Sequence, residues 1–324
     1  RYPLVTGVQT CALPISMLLV VLVLTAFVAT ESAPDFRRDA LPAVLYFSNW
    51  WQVFGVDQPY FSVGVLPVLR HLWSLAVEEQ WYVVWPLAAL ASMRIAKRRS
   101  GWAWAACAAV VMILTAVLAR VGDEGRLNFL YLGTLTRSSG LLLGAALAWW
   151  WHRRPAVESR VLQWTGVLAA VGLGALFATQ HVDSVRLYRG GLAATTIASA
   201  VLVAAVVGSE GRLTRLLSWS PLTAIGRRSY GLYLWHWPLF VILHARESAA
   251  RLLIAAIVTV IVDEISYRLV EMPIRRGSVR WRELDRRLVG VAAGGLLALV
   301  AVSVVKATSI EATSVRSEEH TSEL

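Results

Sequence analysis

Cysteine is nearly absent: Cys11 and Cys107 are the only two in 324 residues. Cys107 lies inside an apolar segment and Cys11 in a terminal stretch set aside below, so neither an intramolecular disulfide nor a thiolate metal cluster is available. Charge is scarce as well. Asp, Glu, Lys and Arg make up 16% of the chain, against about 25% in ordinary soluble domains. There is no phosphate-cradling Gly-rich loop, no metal-ligand spacing and no repeat of fixed period, and no Ser-His-Asp set can be placed.

What fills the chain instead is apolar. Hydrophobic residues reach 57% and the mean hydropathy is +0.57. Runs long enough to cross a bilayer recur at short intervals, which predicts an all-α, polytopic transmembrane helix bundle. The formal net charge of +10 would suit nucleic acid, but its placement in short loops between apolar runs excludes that reading.

The two ends read as foreign. RSEEHTSEL (Arg316–Leu324) and VQTCALPI (Val8–Ile15) are translatable from opposite strands of one DNA sequence, a sequencing adapter. Arg1–Ser16 and Arg316–Leu324 are therefore excluded from fold reasoning. The biological insert is expected to run from Met17 to Val315 with both true termini missing.

Met17–Thr30 reads as the remnant of a span. Glu31–Arg70 is more polar and carries Pro34, Pro42, Pro59 and Pro67, with an interfacial piece at Leu41–Phe54. Further spans are expected at about Trp81–Ala96, Trp102–Ala119, Phe129–Trp150, Val161–Thr179, Gly190–Gly208, Ser229–His244, Leu252–Leu269 and Leu288–Val305. With the truncated first, that makes about nine. Lys and Arg alternate strictly across them. Arg94–Arg99, His152–Arg160, Ser209–Arg228 and Arg268–Arg287 hold 18, while Arg120–Arg126, His181–Arg189 and His244–Arg251 hold 6. The richer set marks the cytoplasmic side and leaves Glu31–Gln80 outside.

Four stretches could carry chemistry. In HLWSLAVEEQWYVVWP (His71–Pro86), Ser74, Glu78 and Tyr82 recur at steps of four, and so share one face of a helix starting near His71 or Ser74. On spacing alone, Glu78 and Glu79 read equally well as solvated carboxylates at a helix start. In RRSYGLYLWHWPL (Arg227–Leu239), Ser229, Tyr233 and His236 form a polar stripe. His236 lies about 12 Å in at about 1.5 Å per residue, where a hydrogen-bonded core histidine is the bland alternative. Pro238 would loosen the helix beyond it. Arg137 stands in Phe129–Trp150 with no acid in its own helix. It must snorkel or find a partner, with Asp263 and Glu264 as counter-charge candidates. SYRLVEMPIRR (Ser266–Arg276) ends the next-to-last of these spans: Pro273 stops the helix, and Glu271 reads as structural.

These four segments, HLWSLxxEEQWY…WP, TRSSGLLLG, SYGLYLWHWP and YRLVEMP, resemble in order and spacing the signature of the integral-membrane acyltransferase-3 family. The resemblance covers Leu41 to Arg276. It implies an O-acyltransferase of the bacterial cytoplasmic (inner) membrane, taking an acyl group from cytoplasmic acetyl-CoA or another acyl-CoA, without a metal, and delivering it to a carbohydrate or related hydroxyl acceptor outside. By the same resemblance, Glu78 and His236 act in supporting catalytic roles, and His71, Trp73, Ser74, Tyr82, Arg137, Ser229, Tyr230 and Tyr233 bind substrate. The principal base is expected in first helices that would precede Met17, so Met17–Val315 alone is expected to be inactive. A transporter or flippase is the rival reading, weakened by the absence of paired broken helices or an inverted repeat.

The resulting domain plan is a partial acyltransferase-3 membrane domain at 17–276 and a basic cytoplasmic loop at 277–287. An extra transmembrane helix follows at 288–305, then the start of an external linker at 306–315. In this family such a helix commonly leads to an extracytoplasmic SGNH-type hydrolase-like domain, which is expected to follow.

Overall fold

The computed structural model describes residues 14, 16–23, 25, 32–55, 60, 66–119, 124–151, 159–209 and 211–272. Among them every regular element is helical. The expectations for Pro273, the basic loop, the extra helix and the linker, and for most of both terminal stretches, lie outside the described residues. The chain divides into two compact units. One draws on Arg1–Ser48, Val65–Leu72 and Arg228–Leu324, the other on Asn49–Gly64 and Trp73–Arg227.

In the second unit, α2 (Ser48–Phe54) is followed by α3 (Trp73–Ile95), α4 (Ser100–Leu118), α5 (Glu124–Leu132), α6 (Thr134–Trp151), α7 (Arg160–Thr179), α8 (Leu192–Gly208) and α9 (Arg212–Leu217). A π-helical turn, Leu187–Gly191, leads directly into α8. Helix α4 packs along α6, α6 against α8, and α7 against α8. With no water to exclude inside a bilayer, close backbone approach has to supply the packing energy, and small residues permit it. Gly166 of α7 is such a place, since a Cβ there would come within 2.5 Å of the Ala205 Cβ on α8. Ser159 starts α7 by accepting a hydrogen bond from the Leu162 amide, 3.3 Å.

Among the described residues, three helical stretches are long and apolar enough to cross a membrane: Lys97–Leu118, Arg160–Thr179 and Leu187–Gly208. They match three of the expected spans to within a few residues. Helix α3 begins at Trp73, as the stepped polar face predicts.

The expected single span Phe129–Trp150 is instead two helices, α5 and α6, separated at Gly133. A helix end leaves its last carbonyls without partners. Here side chains supply them. Thr136 Oγ1 donates to Leu130 O at 2.8 Å and Arg137 Nε to Tyr131 O at 2.6 Å. Asn49 Nδ2 donates to Leu132 O at 3.2 Å. Arg137 therefore stands in the first turn of α6, rather than a third of the way along one continuous helix.

The first unit contains α1 (Ala33–Val44), a 3-10 turn at Arg70–Leu72, the later part of α10 (Ser220–Ile242), α11 (Ala249–Ser266) and a second π-helical turn, Tyr267–Glu271. The stretch read as one interfacial piece, Leu41–Phe54, is split between the end of α1 and α2. Tyr46 turns the chain between them with φ of 52°. Glu271 is buried at the end of the π turn.

Candidate functional site

In the first unit, α10 holds the segment before Trp73 by three long-range hydrogen bonds. Trp237 Nε1 donates to Pro67 O at 2.9 Å, and Tyr233 Oη donates to His71 O at 2.5 Å. The third runs the other way, from His71 Nε2 to Leu234 O, at 3.2 Å. Leu234 O is the carbonyl that residue 238 would bond in an unbroken helix, and residue 238 is proline, which has no N–H. Helix α10 continues through Pro238 to Ile242 instead of loosening there. The histidine replaces the missing donor.

This contact sets the tautomer. A carbonyl only accepts, so His71 Nε2 carries the proton and Nδ1 holds a lone pair. His71 is buried, and Nδ1 has no hydrogen-bond partner. Burial, and then the neighbouring His236, hold the His71 imidazole far below its ordinary range, at about 3; the bond to Leu234 pulls weakly the other way. His71 is neutral at any physiological pH.

His236 obeys the same logic. Its Nδ1 donates to Tyr233 O at 2.6 Å, leaving Nε2 as the lone-pair nitrogen, with no hydrogen bond among the described residues. The rings of His71 and His236 meet edge to face with centroids 5.7 Å apart, and Tyr233 lies 5.4 Å from each. Each of the two imidazoles is thus fixed by a main-chain carbonyl on one nitrogen, and the other nitrogen takes no hydrogen bond among the described residues. Such a pair can accept hydrogen bonds from a hydroxyl and orient it.

On the same helix, Ser229 lies exposed and Tyr230 half-buried, one to two turns before His236. Glu264, considered above as a counter-charge for Arg137, is already committed. It takes Arg228 at 2.8 Å and Arg268 at 2.6 Å, and Arg228 also stacks on Tyr267.

The second unit holds a separate cluster around Arg137. Its guanidinium neither snorkels nor meets a carboxylate among the described residues. It lies over the Tyr131 ring at 4.3 Å and the Trp73 ring at 5.1 Å. Tyr60 completes an aromatic group by accepting from Trp73 Nε1 at 3.2 Å and meeting Tyr131 at a ring distance of 5.0 Å.

Asn49, fully buried, holds a neighbouring polar network. It donates to Thr134 Oγ1 at 3.0 Å and accepts from Gln80 Nε2 at 3.0 Å, while Thr134 Oγ1 and Trp50 Nε1 both donate to Gln80 Oε1. Asn49, Tyr60, Gln80, Tyr131 and Thr134 were not singled out from the sequence. Gln80 was legible in part, as the third letter of the EEQ run. Ser74, Glu78 and Tyr82 follow one another along α3, with Glu78 and Tyr82 exposed. Glu78 makes no ion pair or hydrogen bond among the described residues.

A family model described as an acyltransferase domain matches residues 15–262. The chain belongs to the acyltransferase-3 family. The match takes in His71, Arg137 and His236 and stops short of the fourth sequence motif. This acyltransferase-3 chain is 36% identical over 270 residues to a Bacillus subtilis protein named "Putative peptidoglycan O-acetyltransferase YrhL", covering 78% of the chain and 41% of the relative. It is 32% identical over 278 residues to the peptidoglycan O-acetyltransferase OatA of Listeria monocytogenes, covering 80% and 44%. For the O-acetyltransferase OatA of Staphylococcus aureus the identity is 30% over 273 residues, covering 80% and 45%. The chain spans less than half the length of each of these curated relatives. No solved structure matches it.

Proposed function

We propose that the full-length protein is an integral-membrane O-acyltransferase that places an acyl group, acetyl in the first instance, on a hydroxyl of a cell-wall carbohydrate. The observation that carries this reading is the match to an acyltransferase domain over most of the chain. The names of its relatives, all O-acetyltransferases and two of them peptidoglycan O-acetyltransferases, support the choice of acetyl and of a wall glycan.

Acyl transfer to an alcohol requires a base for the hydroxyl proton and donors for the oxyanion that develops. His236, its ring held by the backbone through Nδ1, and Glu78 serve as supporting groups to a principal base in earlier helices. His71, Trp73, Ser74, Tyr82, Arg137, Ser229, Tyr230 and Tyr233 are the substrate-binding candidates. The donor is an acyl-CoA, offered from the cytoplasm. About nine crossings in the bacterial inner membrane, with an SGNH-type domain beyond the last, complete the reading. The three apolar helices and the alternation of basic loops support it.

Radiolabelled acetyl supplied as acetyl-CoA to inside-out vesicles of cells expressing the full-length gene should appear covalently on the glycan. A flippase or transporter would move substrate and leave the glycan unlabelled. Absence of label with the intact gene and a peptidoglycan acceptor would overturn the proposal.

A further inference from the structure

The second unit holds a half-open cavity of about 270 Å³ beside the Arg137 cluster, lined by Tyr131, Arg137, Leu176, Phe177, Gln180 and Leu192 among others. At about 30 Å³ per water that is space for roughly nine water molecules, or one small organic ion. Four observations bear on what it holds.

The first is charge. A guanidinium cannot shed its proton, and burying it without an anion is costly. Arg137 spends Nε on Tyr131 O, and its terminal nitrogens have no hydrogen bond or carboxylate among the described residues. It also stands in the first turn of the 18-residue helix α6. That is the positive end of the helix dipole, where an anion is favoured and a cation is not.

The second is Gln180, just beyond the end of α7, whose Oε1 is buried and without a partner. The amide lies against Gly191, where a Cβ would stand 2.9 Å from that oxygen. Glycine leaves room for the amide, and a half-turn of its terminal torsion presents the Nε2 protons instead. Third, the π-helical turn Leu187–Gly191 borders the cavity, and such turns are frequent at functional sites. Fourth, Leu173, Leu176, Phe177, Val182, Leu187 and Leu192 make much of the wall apolar. A hydrated inorganic ion gains nothing from such a surface, whereas a short hydrocarbon tail does.

We propose that this cavity binds a short-chain carboxylate, its head on the terminal nitrogens of Arg137 and the Gln180 amide and its tail against Leu173, Leu176 and Phe177. The inference stands on the cavity alone and does not depend on the acyl-transfer reading.

The test is binding of radiolabelled butyrate to the 324-residue chain in uncharged detergent by equilibrium dialysis, with acetate, hexanoate and inorganic phosphate as competitors. Saturable binding is expected, with phosphate a poor competitor. Arg137→Gln should weaken it at least tenfold, Gly191→Ala should weaken it by displacing Gln180, and Leu176→Trp should abolish it by filling the space. Leu176→Trp leaves the arginine and its rings in place, so it decides the matter even if Arg137→Gln fails to fold. No saturable butyrate binding by the wild type overturns the proposal. So does a Leu176→Trp variant that binds like the wild type, or phosphate that competes as well as butyrate. Because the readout is binding, none of these results bears on glycan acetylation, and failure of that assay leaves this one standing.

Discussion

The side chain of His71 stands in for the amide proton that Pro238 lacks, donating to Leu234 O across 163 positions of sequence. A buried carbonyl left without a donor costs about 1–3 kcal/mol. His71→Phe should therefore destabilise the chain by about that amount in SDS-unfolding titrations. In a Pro238→Ala background the helix supplies its own N–H, and the same substitution should cost clearly less. Equal costs in both backgrounds would mean that the two residues are not coupled.

The same histidine makes a pH prediction. Its folded-state pKa is depressed to about 3, while an unfolded histidine titrates near 6.5. Above about pH 6.5 both states are neutral there and His71 adds no pH dependence. As the pH falls from 6.5 towards 3 the unfolded chain takes up a proton that the folded chain refuses, so stability declines, and below 3 it levels. Wild type minus His71→Phe, followed from pH 7 to pH 4, should show this slope. A flat difference would refute it.

His236→Ala in the full-length gene should lower glycan acetylation at least tenfold, because Nε2 is the lone-pair nitrogen that can meet a hydroxyl. Tyr233→Phe removes the donor to His71 O and should lower it several-fold. Labelling of the glycan by both variants at the wild-type rate would remove this cluster from the chemistry.

Asn49→Leu should destabilise the second unit by about 2–3 kcal/mol, since it strands Leu132 O and removes a partner from both Gln80 and Thr134. Far-UV circular dichroism during unfolding reads it. A loss under about 0.5 kcal/mol would show that water satisfies these groups.

Topology is open to direct labelling. On a cysteine-free background, Arg98→Cys and Arg154→Cys should be protected from an impermeant maleimide in intact cells. Gly122→Cys and Asp183→Cys should react. External labelling of Arg154→Cys would reverse the arrangement.

Much of the helical layout is legible in the sequence because apolar runs and basic loops alternate cleanly. The meeting of His71 with SYGLYLWHWP is not, since it depends on a proline's missing proton being supplied by a histidine far away in the chain. The division of α5 from α6 is hidden for a related reason. Residues 129–150 form a continuous apolar pattern, and the donors that let the helix end at Leu132 come from Thr136, Arg137 and the distant Asn49. Gln180 is not singled out by the sequence, because its surroundings form only once Gly191 passes beside it.

The π-helical turn at Leu187–Gly191 has a consequence for the geometry of everything attached to it. A π turn is an α-helix that has absorbed one residue, and one residue is about 100° of rotation. Removing a single amino acid within 187–191 should leave a continuous helix running into Leu192–Gly208 rather than break it. It would swing Tyr188 and its neighbours a quarter-turn around the axis, away from Ala119, Leu127 and Leu130, against which they now pack. The fold could then tolerate the deletion while the wall of the cavity would not, so length, at this one place, separates what the helix needs from what the site needs.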